Sequence, residues 1–225
     1  MNNTLKILNE RVSLRRYKDQ DIKEKHLNQI LDSAMRAPTA GNMMPYSIIV
    51  VKDKKKKEIL SETCDNQPFI AKAPVLLVFV ADFKKTYDYF DVCDLKEYCK
   101  KENIKYKSPN LASLFLAFND ALIAAQNAVI AAESLNIGSC YIGDIVENYE
   151  IKKELFELPQ YVLPVAMLTL GYYPDDYKKR KSDRFDKKYV VFNETYKNLN
   201  EKELKDMYKT KEEKTKNIDK YNTKN

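Results

Sequence analysis

Only four glycines occur in the 225 residues: Gly41, Gly138, Gly143 and Gly171. No Gly-x-Gly-x-x-Gly can be assembled from them, which excludes the glycine-rich turn by which Rossmann domains hold dinucleotides. Gly138 and Gly143 have the spacing of half a P-loop. Asp144-Ile145 follow, however, where phosphate binding needs Lys and then Ser or Thr, and an acid there repels a triphosphate. Histidine is scarcer still. His26, mid-helix beside Lys25, is the only one and reads as a surface or boundary residue, so a Ser-His-Asp triad or a His-ligated metal has little to build on. Cys64, Cys93, Cys99 and Cys140 include no Cys-x-x-Cys, which removes zinc ribbons and dithiol centres and leaves reduced thiols. No metal site is expected. No run approaches the ~18 continuous apolar residues of a membrane span. The opening Met1-Asn2-Asn3-Thr4-Leu5-Lys6 lacks the apolar stretch of a secretory signal, so a soluble, cytoplasmic protein is expected.

What remains can build a core. Hydrophobic residues make up 44% of the chain, an ordinary share for a globular core, and the length suits one large domain or one and a half. Lys and Arg outnumber Asp and Glu by 39 to 33, but the excess is interspersed with acids, which describes a solvated surface rather than a nucleic-acid groove. One denser basic run is Tyr177-Lys178-Lys179-Arg180-Lys181-Ser182-Asp183-Arg184.

Periodicity predicts a helix over Ile22–Met35, stopped by Pro38, and strands at Ser47–Val51, Val75–Val80 and Val162–Leu170. A helix restarts at Asp53, and a short one covers Glu147–Phe156. The stretch Leu111–Asn136 is apolar nearly all round, which marks a helix buried in the core or across a subunit interface, with Gly138 as its C-cap. Helices and short strands alternate without a fixed repeat, giving a layered α/β or α+β domain over 1–197. Residues 82–110 form a Tyr-rich insertion, either helical or a functional lid. Residues 198–225 read as one solvated helix and a disordered end.

Arg11, Ser13 and Arg15 are spaced by two, so an extended backbone throws all three to one side, where guanidiniums and a hydroxyl can hold a phosphate or a polar ring edge. An exposed basic turn would carry the same residues, and alone the triple decides nothing. It is followed by Ala37-Pro38-Thr39-Ala40-Gly41-Asn42-Met43-Met44-Pro45 running into a strand, then Gln67-Pro68-Phe69. After these come Gly138-Ser139-Cys140-Tyr141-Ile142-Gly143, Leu163-Pro164, Leu170-Gly171-Tyr172 and Arg184-Phe185. In this order and spacing the chain, from Leu5 to Tyr196, resembles the nitroreductase family of FMN-dependent oxidoreductases.

The resemblance implies an α+β fold, a central and mostly antiparallel sheet flanked by helices, and an intertwined homodimer with FMN at the subunit interface. It implies NAD(P)H as co-substrate, and a ping-pong hydride mechanism reducing nitroaromatics, quinones or flavins. By motif match Arg11 and Ser13 would hold the FMN phosphate and ribityl chain, and Arg15 the N1 and C2 carbonyl edge. Pro38, Thr39, Ala40, Asn42 and Met44 would approach from the neighbouring subunit. Gln67 would meet the pyrimidine edge, Ile142 and Gly143 would lie over the reactive face, and Arg184 with Arg180 or Lys181 would close on the phosphate. Met44 stands where the family usually has Gln, and Tyr46 where it has an aromatic such as Trp. No catalytic side chain is assigned. A small-molecule acceptor is expected as partner, its pocket bordered by Tyr87, Tyr89 or Phe90 of the insertion, with neither nucleic acid nor membrane. Alternatives are a specialised branch of the fold, dehalogenating or flavin-fragmenting, and a non-catalytic FMN-binding regulator.

Overall fold

Three predicted strands join a fourth that the sequence did not announce. The computed structural model describes residues 2–222, in which β1 (Tyr46–Val51), β2 (Val75–Asp82), β3 (Ile137–Ile142) and β4 (Val162–Tyr172) form one sheet of order β1-β2-β4-β3. Every neighbouring pair is antiparallel. β2 is buried at all eight positions, as a central strand apolar on both faces must be. Pro164 lies at the register shift between β2 and β4, where its missing N–H costs no ladder bond.

The helices are α1 (Asn3–Glu10), α2 (Glu24–Met35), α3 (Lys54–Thr63), α4 (Pro68–Lys72), α5 (Lys84–Val92), α6 (Leu95–Lys101), α7 (Leu111–Ser134), α8 (Tyr149–Leu155) and α9 (Glu201–Asn222). α2 and α7 cover one face of the sheet, and α3 and α4 the other. Leu77 and Phe79 of β2, with Leu168 and Leu170 of β4, face α2 and α7. The intervening Leu76, Val78 and Val80 face Leu60 of α3, Cys64 at its C-cap and Ile70 of α4. Strand periodicity thus supplies two cores from one sheet.

Among the described residues α7 is the helix long and apolar enough, by length and composition, to cross a membrane. Its alanine row, including Ala121, Ala124, Ala125, Ala128 and Ala132, is fully buried in the core, while Leu111, Phe115, Leu122 and Ile123 stay exposed. The insertion is helical, formed by α5 and α6 and broken at Asp94, whose φ is 51°. Tyr87 turns inward, edge-on to Phe83 at 6.2 Å and Phe90 at 5.5 Å, and its hydroxyl donates to the Lys107 carbonyl at 3.2 Å.

The end of α7 differs from the sequence expectation. The helix stops at Ser134, Asn136 takes the left-handed conformation (φ 58°), and Gly138 lies inside β3 rather than capping the helix. A Cβ at Gly138 would stand 2.5 Å from Leu14 Cδ2 and 2.8 Å from the Tyr173 ring, so close packing, not a turn, requires glycine there.

The chain divides into two units, Met1–Arg180 and Lys181–Asn225. Within the second, Lys211 sits 3.7 Å over the Phe185 ring, which meets Tyr208 edge-on at 5.1 Å, and Lys197 pairs with Glu203 at 2.5 Å. The disordered end expected from the sequence falls on residues 223–225, outside the described residues.

Candidate functional site

Arg11 leaves α1 with an extended ψ of 136°, and the following segment runs beside β3. Ser13 makes a parallel bridge to Ser139, and the Leu14 N–H donates to the Ser139 carbonyl at 2.9 Å. Val12 and Leu14 are buried while Arg11, Ser13 and Arg15 point the other way, the two-residue alternation that the sequence predicts. Two glycines make the crossing feasible. Gly138 and Gly171 are cross-strand partners in β3 and β4, and Leu14 lies against the first and Tyr17 against the second. A Cβ at Gly171 would stand 2.5 Å from the Tyr17 ring. Tyr17 locks the end of the segment by donating from its hydroxyl to Thr169 Oγ1 at 2.7 Å, and burial drives its pKa well above the usual phenol range.

The three exposed-side residues converge on one point of β3. The Ser13 hydroxyl and the Arg15 guanidinium both reach the buried Cys140 thiol, and Arg11 acts on it from nearby. Burial raises the pKa of this thiol, and the two guanidiniums oppose the rise. Arg11 opposes the same effect at Tyr141, whose phenol burial pushes up to about 12. Arg16 points away into an exposed pair with Asp176 at 3.0 Å. Arg11 and Arg15 have no carboxylate partner among the described residues. Arg15 lies instead over the Phe69 ring, 5.7 Å from its centroid. Two unpaired guanidiniums beside a hydroxyl are a donor set waiting for an anion.

Gln67 and Gly143 belong to a second construction built around Lys152. This lysine of α8 is fully buried, and its Nζ donates to the Thr63 carbonyl at 2.9 Å, the Glu147 carbonyl at 2.5 Å and the Asp144 carbonyl at 3.4 Å. It therefore ties the end of α3 to the turn after β3. Asn148 Nδ2 adds a bond to the Thr63 carbonyl at 2.9 Å. Gln67 Nε2 donates to Asp144 Oδ2 at 2.7 Å and to the Cys64 carbonyl at 2.9 Å, which leaves its Oε1 as a free acceptor. The Cys64 thiol, fully buried beside Lys152, is raised from its ordinary 9.0 to about 11 by burial, with Lys152 opposing.

The Pro38–Met44 loop is anchored elsewhere. Asp120 of α7, 4% exposed, accepts from Thr39 Oγ1 at 2.5 Å and from the Ala40 N–H at 2.9 Å through the same oxygen. Gly41, Asn42 and Met44 all have positive φ, and the Met44 N–H donates to Thr39 Oγ1 at 2.9 Å. Met44 packs its thioether against the core, and Asn42 and Met43 are exposed. The Tyr46 hydroxyl is buried without a hydrogen-bond partner among the described residues, and burial followed by the charge of Asp120 raises its pKa. Arg180, Lys181 and Arg184 are exposed, and Arg184 Nη1 meets only the carbonyls of Asp183 and Ser182 at 3.4 and 3.5 Å. Tyr89 is 65% exposed, and Tyr87 lines a small cleft of about 230 Å³ with Tyr106 and Tyr161.

The structure thus brings Arg11, Ser13 and Arg15 together on β3, and Gln67 together with the Gly143 turn. Lys152, Asp120 and Cys140 were not anticipated as site residues. Asp120 carried a signal, being one of the polar breaks in an apolar helix. Another such break, Asn127, donates to the Ser33 carbonyl at 3.1 Å. Lys152 carried none.

Comparison with known proteins agrees with this geometry. Residues 8–172 match the family described as "Nitroreductase family". The chain is 36% identical over 205 residues to an "FMN reductase [NAD(P)H]" of Bacillus subtilis, covering 91% of this chain and 78% of that one. It is 31% identical over 204 residues to an "Oxygen-insensitive NADPH nitroreductase" of Salmonella typhimurium, covering 91% and 79%. The solved structure of the "hypothetical oxidoreductase YcnD from Bacillus subtilis" superposes with a TM-score of 0.84 at 34% identity, over 100% of this chain and 87% of that one. The fold is accordingly that of a known architecture, and the chain belongs to the nitroreductase family.

Proposed function

We propose that the chain is an FMN-binding oxidoreductase that takes electrons from NAD(P)H and delivers them to small oxidised acceptors of the nitroaromatic, quinone or flavin class. The observation that carries this reading is that Arg11, Ser13 and Arg15 share one side of the segment bridged to β3 at Ser139, with neither guanidinium paired to a carboxylate among the described residues. The donor set fits FMN. Arg11 and Ser13 suit its phosphate and ribityl oxygens, and Arg15 suits an electron-rich pyrimidine edge. Gln67 fits that edge as well, because its free Oε1 can accept from an imide N–H.

The chemistry supplied by bound FMN is hydride uptake at N5 followed by electron delivery to the acceptor, in ping-pong order. The chain's own residues position and stabilise. Arg15 offers positive charge where negative charge develops on reduction. Lys152 fixes the Ile142–Gly143 turn, whose backbone would border the reacting face. No proton donor of this chain needs to be invoked. Pro38, Thr39, Ala40, Asn42 and Met44 would serve the site of a second copy, held for that purpose by Asp120. The unpartnered face of α7, with Leu111 66% and Phe115 59% exposed, supports such a homodimer. Arg180 would complete the phosphate contacts.

The test is anaerobic titration of the FMN-loaded protein with NADPH and NADH. Bleaching of the flavin bands by either nucleotide, and recovery on adding a quinone or nitroaromatic, is the expected result. Tight FMN binding without bleaching would contradict the oxidoreductase reading.

A further inference from the structure

A second cleft, of about 940 Å³, opens beyond Arg15 and Phe69. The 15–22 segment, the start of α3 and the stretch Ala71–Val75 wall it. Its lining holds seven cationic side chains against three acids, Asp19, Asp21 and Glu58. Three of the cations are already neutralised: Arg16 by Asp176 at 3.0 Å, Lys18 by Asp175 at 2.8 Å and Lys52 by Glu24 at 3.2 Å. Lys54, Lys57, Lys72 and Arg15 have no ion-pair partner among the described residues.

Lys57 is the informative member. It is only 8% exposed, yet among the described residues its Nζ has one acceptor, the Ala73 carbonyl at 2.7 Å. An ammonium carries three N–H donors, so two remain unanswered at the cleft. Burial lowers its pKa, the charge of Asp21 opposes this, and neighbouring Lys54 lowers it further. Lys54 and Lys57 are three residues apart on α3, an arrangement in which like charges repel. A buried cation with unfilled donors beside a second cation is costly unless something anionic sits between them.

We propose that this cleft binds the phosphate-bearing adenosine end of the nicotinamide dinucleotide. The position supports it. Arg15 and Phe69 form the wall shared with the candidate flavin site, so an extended dinucleotide with its nicotinamide at that site can lay its other end along Lys57, Lys54 and Lys72. The inference rests on the oxidoreductase reading for the identity of the nucleotide, whereas the anion chemistry of the cleft stands on Lys57.

The test uses the FMN-loaded protein and the exposed pair Lys54→Glu/Lys72→Glu, which touches no core residue. Steady-state turnover is measured with NADPH and with NADH, and 2′,5′-ADP is titrated directly by calorimetry. The expected result is a KM for NADPH raised about tenfold or more, with kcat and FMN affinity within about twofold, and a parallel loss of 2′,5′-ADP affinity. The effect should shrink as salt is added. Unchanged KM values and unchanged 2′,5′-ADP binding in the variant would overturn the proposal. So would inorganic phosphate binding in the cleft that fails to compete with NADPH, since the anion site would then serve another ligand. Wild-type protein that oxidises neither nucleotide would sink the oxidoreductase reading, and 2′,5′-ADP titration would still report on the cleft by itself.

Discussion

Replacing Lys152 with Met removes the ammonium that joins the end of α3 to the turn after β3, while nearly preserving volume. Three carbonyls, those of Thr63, Asp144 and Glu147, lose a donor, and two of the bonds are at 2.9 and 2.5 Å. Hydrogen bonds to charged groups contribute about 1.5–3 kcal/mol each, and a buried group left unpaired costs about 1–3 kcal/mol. Against this, an ammonium no longer has to be desolvated, a relief of several kcal/mol. Three bonds from a charged donor are lost together, so the losses should exceed the relief, and the net destabilisation expected is about 3 kcal/mol. That corresponds to a fall in Tm of roughly 6–12 °C for a domain of this size. Urea unfolding of FMN-free protein should show the midpoint falling with the slope unchanged. FMN affinity should also weaken, because Gln67 and Gly143 are positioned through the same clamp. A Lys152→Met variant as stable as wild type, or more stable, would refute the reasoning. The buried charge would then be a net liability and the turn would be held by packing alone.

Gly138→Ala places a methyl 2.5 Å from Leu14 and 2.8 Å from Tyr173. The expected loss is about 1–3 kcal/mol, with weaker FMN binding because the Arg11–Arg15 segment is displaced. Chemical denaturation and flavin titration of the same preparation check both. Asp120→Ala leaves Thr39 Oγ1 and the Ala40 N–H without their acceptor. About 2–4 kcal/mol should be lost, and faster proteolysis at the Pro38–Met44 loop should report its release. The Cys64 thiol is raised from 9.0 to about 11, so its contribution to stability is complete below pH 9 and is lost as pH rises through 11. Stability should therefore fall over that window, and Cys64→Ala should flatten the fall in a pH series of urea midpoints.

The parts of the fold that sequence periodicity reveals are those set by local pattern. β2 reads as a central strand because both of its faces are apolar, β4 reads as a further strand, and Arg11, Ser13 and Arg15 share a side because side chains alternate on an extended chain. β3 does not announce itself. Ile137-Gly138-Ser139-Cys140 is short, unalternating and contains a glycine, which in sequence looks like a helix stop and in space is where Leu14 crosses. Lys152 is invisible for a different reason. A lysine in the short charged stretch Lys152-Lys153-Glu154 looks solvated, and only the arrival of α3 against the turn after β3 buries it. The polar breaks in α7 were visible, but their partners in the Pro38–Met44 loop and α2 are long-range and could not be read locally. The anion cleft combines Lys54, Lys57 and Lys72 with Arg15, residues whose joint placement depends on α3 and α4 packing beside the opening segment.

Calorimetric titration of FMN into the purified protein, set beside the Arg11→Gln/Arg15→Gln double variant, addresses the central claim most directly. If the two free guanidiniums on β3 form the anchor, wild type binds FMN and the double variant, still folded by circular dichroism, binds it at least about 100-fold more weakly. Equal affinity in the two proteins, or no binding by wild type, would contradict the account.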